Sequence, residues 1–190
     1  YFFQWIIINK QNLPYKFISN DLPFFSTEEN YNFSKSNITQ AFIHIINHPY
    51  DVYKFIKKIH NNDSEIARNI FLNLDQKVTK QDFNKTSFYL SNKGWHIYTQ
   101  SWTDANVVNS LKGKIITKKD IQNNSYEVLS SIILHLIQSG VQIELDYDLI
   151  DNFVKNNPYK DDNNYDEIST KEKKFLDQYV SDIIEIYDTL

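Results

Sequence analysis

Only three of the 190 residues are glycine and none is cysteine. These two scarcities limit the chain more than any motif it contains. A loop that cradles phosphate needs glycines so that backbone N–H groups can approach the ligand, and a Gly-x-Ser-x-Gly nucleophile elbow needs them for its strained turn. Neither pattern occurs. Without cysteine there is no disulfide framework, thiolate zinc site, iron–sulfur cluster or thiol nucleophile. Such a chain has to hold together through an apolar core, and with 41% hydrophobic and 15% aromatic residues it has the material for one. A chain of this length buries about 70% of its unfolded surface on folding.

The charge balance bears on partners. Lys and Arg total 20 against 24 Asp and Glu, a formal net charge of -4. Arg68 is the single arginine, and phosphate affinity comes from concentrated Lys and Arg, so the balance disfavours a dedicated nucleic-acid binder. The 22 Asn, 25 Ile and 19 Lys reflect an AT-rich coding sequence before they reflect function. They also account for the Asn-x-Ser/Thr triplets at Asn32, Asn37, Asn62, Asn84 and Asn123 without invoking glycosylation. No apolar run reaches the length of a membrane span, and the apolar opening Tyr1–Ile8 lacks the basic flank of a signal peptide. A cytoplasmic location is the expectation. Met is absent, the initiator included, so the chain reads as a processed product, a fragment, or a sequence missing a modified residue.

Along the chain, Tyr1–Asn9 and Tyr15–Ser19 are rich in aromatic and β-branched residues on either side of Pro14, which predicts an N-terminal hairpin. Ile38, Ala41, Phe42, Ile45 and Ile46 share a helical face, with Pro49 as a stop. Val52, Phe55, Ile56 and Ile59 predict a second helix. Ile66, Ala67, Ile70, Phe71 and Leu74 predict a third, with Asn62 and Glu65 at capping-box spacing. Between Thr86 and Ser101 the period changes to two around Ser91-Asn92-Lys93-Gly94, predicting a second hairpin. A short helix after Asp104, a strand over Lys114–Thr117, a buried helix from Tyr126 to Ile137, a strand over Val141–Glu144 and a helix around Leu149–Val154 follow. Lys160–Ser169 is polar and acidic, and Leu176, Val180, Ile183 and Leu190 mark an amphipathic final helix. The resulting expectation is a helix-rich α+β fold in a single domain with two β-hairpin regions and an amphipathic C-terminal helix. Its divisions are a core over 1–158, an acidic linker over 159–169, and a helix over 170–190 packed on the core or on a partner.

Candidate chemistry is sparse. His44 and His48 have the i, i+4 spacing of a metal pair, but Pro49 disturbs residue 48 and no third ligand follows, so two surface histidines at a helix end is the favoured reading. Glu144, Asp146 and Asp148 alternate as oxygen ligands on a strand would. Asp146-Tyr147-Asp148 resembles, over three residues, the metal-binding Asp-x-Asp of some sugar-nucleotide transferases, but the preferred role is capping of the Leu149 helix. A calcium loop starting at Asp162 fails at Glu167, where glycine is needed, and at Lys173, where glutamate is needed. His96 is the histidine best placed for acid–base work, beside Trp95 and Tyr98. No metal and no cofactor is expected.

The function these observations favour is non-catalytic protein binding, with a toxin-neutralising immunity protein or antitoxin as the specific form and a basic toxin as the partner. The contacts expected are Tyr147, Tyr159, Asp161, Asp162, Tyr165, Asp166 and Glu167. The alternative is a winged-helix regulator over 37–101, with Ser64, Arg68 and Asn69 in the major groove and Lys93 at the wing tip. A small metal- or acid/base-dependent enzyme is the second alternative. Oligomeric state has no signature in the sequence.

Overall fold

The computed structural model describes residues 41–72, 94–158 and 167–190. The expected N-terminal hairpin and the first strand of the second hairpin lie outside the described residues. So does most of the acidic linker. In chain order the elements are β1 (Phe42–Ile46), α1 (Pro49–Ile59), α2 (Ser64–Leu72), α3 (Gly94–Thr103), α4 (Ala105–Ser110) and β2 (Gly113–Thr117). These are followed by α5 (Lys118–Asn123), α6 (Ser125–Gln138), α7 (Tyr147–Asn156) and α8 (Thr170–Thr189). The described residues are helix-rich with a small two-stranded sheet, broadly α+β.

That sheet is parallel, β1 beside β2, with Phe42 opposite Gly113, His44 opposite Ile115 and Ile46 opposite Thr117. Parallel pairing requires a long crossover rather than a tight turn. Here the crossover carries α1 to α4. Alternate residues of a strand face opposite sides, and the sheet uses this to divide two apolar clusters. Ile46 and Ile115 face a principal core built with Val52, Tyr53 and Ile56 of α1, Ile70 and Phe71 of α2, Trp95 of α3, and Leu176, Val180 and Ile183 of α8. Ala41, Ile43 and Ile116 face a second cluster with Val128, Ile132 and Leu136 of α6. A third, smaller cluster joins Ile133 of α6 to Ile150 of α7.

Several expectations need correction. Of the helix predicted over Ile38–Ile46, residues 38–40 lie outside the described residues and Phe42–Ile46 form strand β1. A strand with apolar neighbours on both faces carries Ile at odd and even positions alike, so its run of Phe42, Ile43, Ile45 and Ile46 also fits a helical stripe. The hairpin expected around Gly94 is absent from the described residues, and Trp95 to Ser101 lie in helix α3. Trp95, His96, Thr99 and Ser101 are all buried, so α3 has no continuous polar face to show a helical period. Residues 141–146 form no strand. Asp63 rather than Asn62 caps α2, its carboxylate accepting from the Glu65 and Ile66 amides at 2.9 and 3.0 Å.

Helix α8 is fixed at its start by a polar latch. Ser169 and Glu172 form a capping box. The Glu172 Oε2 accepts from the Ser169 amide and hydroxyl at 3.0 and 2.8 Å, while Oε1 accepts from Tyr53 Oη at 3.1 Å, Lys57 Nζ at 3.0 Å and Ser64 Oγ at 2.8 Å. Burial raises the Glu172 pKa, but the bonds from Ser169, Lys57 and Ser64 outweigh it and hold the carboxyl at about 2, below its usual 4.5. The group is therefore an ionised clamp with its acceptor positions occupied. Because the folded pKa is depressed, the clamp's contribution is complete above the unfolded value and is lost as pH falls from about 4.5 towards 2. Glu172→Gln is expected to lower stability at pH 7 by about 1–3 kcal/mol, the range for hydrogen bonds to a charged group. Urea unfolding of both proteins checks it; the gap must shrink as pH falls towards 3, and a gap independent of pH would show that the charge is not what matters.

Candidate partner-binding surface

Tyr147 begins α7 and is 53% exposed. It stands there because Asp146 caps the helix, accepting from the Leu149 amide at 3.0 Å, which aims the first turn outward while Ile150 enters the core. Its ring lies 6.3 Å from that of Tyr126, centroid to centroid, near the start of α6. Packing of Ile133 against Ile150 brings the two helices together, so the tyrosine pair sits over a shared apolar cluster. Burial, followed by the neighbouring Tyr147 and the carboxylates of Asp151, Asp148 and Glu127, raises the Tyr126 hydroxyl pKa. Two aromatic rings are thus set among three carboxylates. Glu127 and Asp148 are exposed, and Lys155, held to Asp151 at 2.5 Å, is the cation paired within this group.

Tyr147 was expected as a contact from its sequence context. Tyr126, Glu127 and Asp151 were not, because they are brought to it by the packing of α6 on α7 and no local pattern records that. Their positions one residue apart at Tyr126-Glu127 and on one turn at Asp148 and Asp151 are the traces the sequence carries. Of the other expected contacts, Glu167 is exposed beside the start of α8, whereas Tyr159, Asp161, Asp162, Tyr165 and Asp166 lie outside the described residues.

The residues of the winged-helix reading are differently placed. Ser64 donates to Glu172, and the Arg68 guanidinium sits 5.4 Å from the centroid of the Phe175 ring while its Nε donates to the Ser64 carbonyl at 3.1 Å. Both side chains are turned towards α8. Asn69 is half-buried, and Lys93 lies outside the described residues. Among the described residues, β1 stands where that reading needs its first helix and α3 where it needs the second wing strand.

The three histidines singled out from the sequence pack against different rings. His44 is buried on β1 against the rings of Tyr98 and Trp102, at 5.8 and 6.3 Å. Burial lowers its pKa to about 4, so the ring is neutral at pH 7, and its Nε2 makes no hydrogen bond. His48 lies beyond the strand at the start of α1, so the two never share a helix face. His96 is buried on α3; burial lowers its pKa, opposed by a hydrogen bond with the Phe71 backbone and by Asp182. The Glu144, Asp146 and Asp148 alternation has no strand to carry it, and Asp146 is the helix cap. Among the described residues no three His, Asp or Glu side chains converge as metal ligands, and no helix is long and apolar enough to cross a membrane.

The chain matches no family model, no curated protein and no solved structure.

Proposed function

We propose that this protein is a non-catalytic binding domain whose partner is another protein with a basic surface. The observation that carries the reading is the Tyr126–Tyr147 pair, with Glu127 and Asp148 adjoining it in the chain and exposed beside it. Tyrosine gives a large contact area at low entropic cost and can still hydrogen-bond, which is why interfaces are enriched in it. The carboxylates around the rings form a polar rim that selects Lys and Arg on the partner and speeds encounter. An inhibitor of a basic toxin, as an immunity protein or antitoxin, is the specific form this takes, on the grounds of acidity and size.

The test begins with immobilised protein and an extract of its own organism, from which one stoichiometric basic protein is expected. Titration calorimetry with that protein then decides the surface. Tyr147→Ala and Tyr126→Ala are each expected to weaken binding about tenfold or more, as anchor residues do. Charge reversal at Asp148 is expected mainly to slow association and to flatten its salt dependence. Unchanged affinity in the double Tyr variant would sink this surface while leaving protein binding elsewhere open; failure to retain any protein would sink the function itself.

A further inference from the structure

Helix α1 begins in an unusual way, because a histidine supplies its cap. The first backbone N–H groups of a helix have no partner within it. In α1, Pro49 has no N–H to satisfy, and His48 serves the next three residues. Its ring Nδ1 accepts from the Tyr50 amide at 3.2 Å, and its carbonyl accepts from the Asp51 and Val52 amides at 2.9 and 3.2 Å. Capping by Nδ1 requires that nitrogen to be unprotonated. Asn, Asp and Ser cap at any pH near neutrality; histidine does so only while neutral.

The same ring is part of a tertiary contact. It packs at 5.0 Å from the Tyr50 ring and edge-on at 5.1 Å from Tyr187 in the last turn of α8. Tyr50 is in turn held to α8, its hydroxyl bonding the Asp177 carboxylate and its ring lying 5.7 Å from Lys173 Nζ. The charged groups facing His48 are Asp51 and Lys54 from α1, and Lys173 and Asp188 from α8. The two carboxylates favour a proton on the ring, and the two lysines oppose it. Burial is the largest influence and keeps the ring below the ordinary histidine value.

We propose that His48 is an acid-sensitive latch joining the first turn of α1 to the last turn of α8. A proton taken up at Nδ1 turns the acceptor into a donor facing the Tyr50 N–H, and it sets a positive charge at the positive end of the helix dipole. The ring leaves the cap, the Tyr50 amide loses this acceptor, and the His48–Tyr187 contact goes with it. The sign follows from the lowered folded pKa. The latch is intact above the unfolded value of 6.5, and its stabilising effect declines as pH falls below it. His44, held at about 4, titrates below this window.

The latch is tested by residue-resolved NMR of the intact protein between pH 7.5 and roughly 5, the interval in which histidines ordinarily titrate. The Tyr50 amide shift is expected to follow the His48 ring titration. Its exchange, corrected for intrinsic pH dependence, is expected to speed up roughly fivefold, the size of losing one helix cap. Tyr187 ring signals should move with the same midpoint. In His48→Asn, whose side-chain oxygen caps without titrating, all three responses should vanish. A Tyr50 amide that ignores the His48 titration in the wild-type protein would overturn the proposal, whether or not the variant folds. An Asn variant that keeps the wild-type pH response would overturn it equally.

Discussion

Replacing Phe71 with alanine is expected to lower the free energy of unfolding by about 3–5 kcal/mol, the range for removing a fully buried aromatic ring. Phe71 is 0% exposed. One face stacks on Trp95 of α3 at 5.0 Å and 18°, and Tyr53 of α1 meets the ring edge-on at 5.8 Å and 81°. The ring is therefore where three helices meet, and its removal cannot be repaired by a small shift of one of them. A domain of this size has about 5–15 kcal/mol in total, so about a fifth of the stability or more is at stake. Guanidinium unfolding of the variant beside Phe71→Leu measures it. Leucine should recover a substantial part of the loss, because volume is largely restored while the two ring contacts are not. A loss below about 1.5 kcal/mol for alanine, typical of milder core changes, would mean that the site collapses freely and that the packing described here is loose.

Gly94→Ala is expected to have the second large effect, about 2–4 kcal/mol from strain and overpacking together. Gly94 has a φ of +81°, in the region that L residues avoid. The space is also closed. A Cβ there would lie 2.6 Å from the Leu72 carbonyl carbon and 2.8 Å from both the Leu72 and Phe71 carbonyl oxygens. These are backbone atoms at the end of α2, so no side-chain rotation relieves the clash. Gly140→Ala is the control. Gly140 also has a positive φ, 92°, after the end of α6, but it is exposed; strain alone should cost it about 1–2 kcal/mol. Equal losses at the two positions would show that the close approach of α3 to α2 contributes nothing.

These two positions show what the sequence discloses and what it conceals. The helices with one dry face were legible: Val52, Ile56 and Ile59 of α1, Ile132, Ile133 and Leu136 of α6, and Leu176, Val180 and Ile183 of α8 repeat at helical spacing because their opposite faces meet water. Strand β2 was legible too, over Lys114–Thr117. Strand β1 and helix α3 were not. In β1 both faces carry apolar residues, Ile46 in one cluster, Ile43 in another and Ile45 exposed, and α3 buries residues all round, so in neither does burial pick out one regular face that would distinguish helix from strand. Trp95, Ile97 and Thr99 alternate as strand residues would, and neighbouring helices override that preference. Gly94 was read as a turn glycine. It does need its positive φ, but as the first residue of a helix abutting another.

The surface follows the same logic. Tyr147 was singled out with Tyr159, Tyr165 and the acidic run at 161–167 because an aromatic fraction of 15% favours interface anchors once a core is filled. Its neighbours at Tyr126 and Glu127 belong to another helix and become neighbours only when Ile133 meets Ile150. Spatial adjacency across helices leaves no periodic mark in a single sequence. The His48 cap was equally hidden, since its spacing from His44 suggested a shared helix that a strand replaces.

The route by which the principal core is closed has a consequence for how the chain must be made. Tyr53 and Lys57 meet Glu172 across 119 and 115 residues, and the same α8 supplies Leu176, Val180 and Ile183 to the apolar faces of α1 and α2. On a ribosome, α1 to α3 emerge long before the helix that covers them, and contacts this distant in sequence are slow to form because the intervening chain must first be gathered in. For that interval the faces of α1 and α2 stand open, and an exposed apolar surface of that kind invites association with other chains. Closure of this core is therefore a late step, completed only once α8 is available to cover α1 and α2.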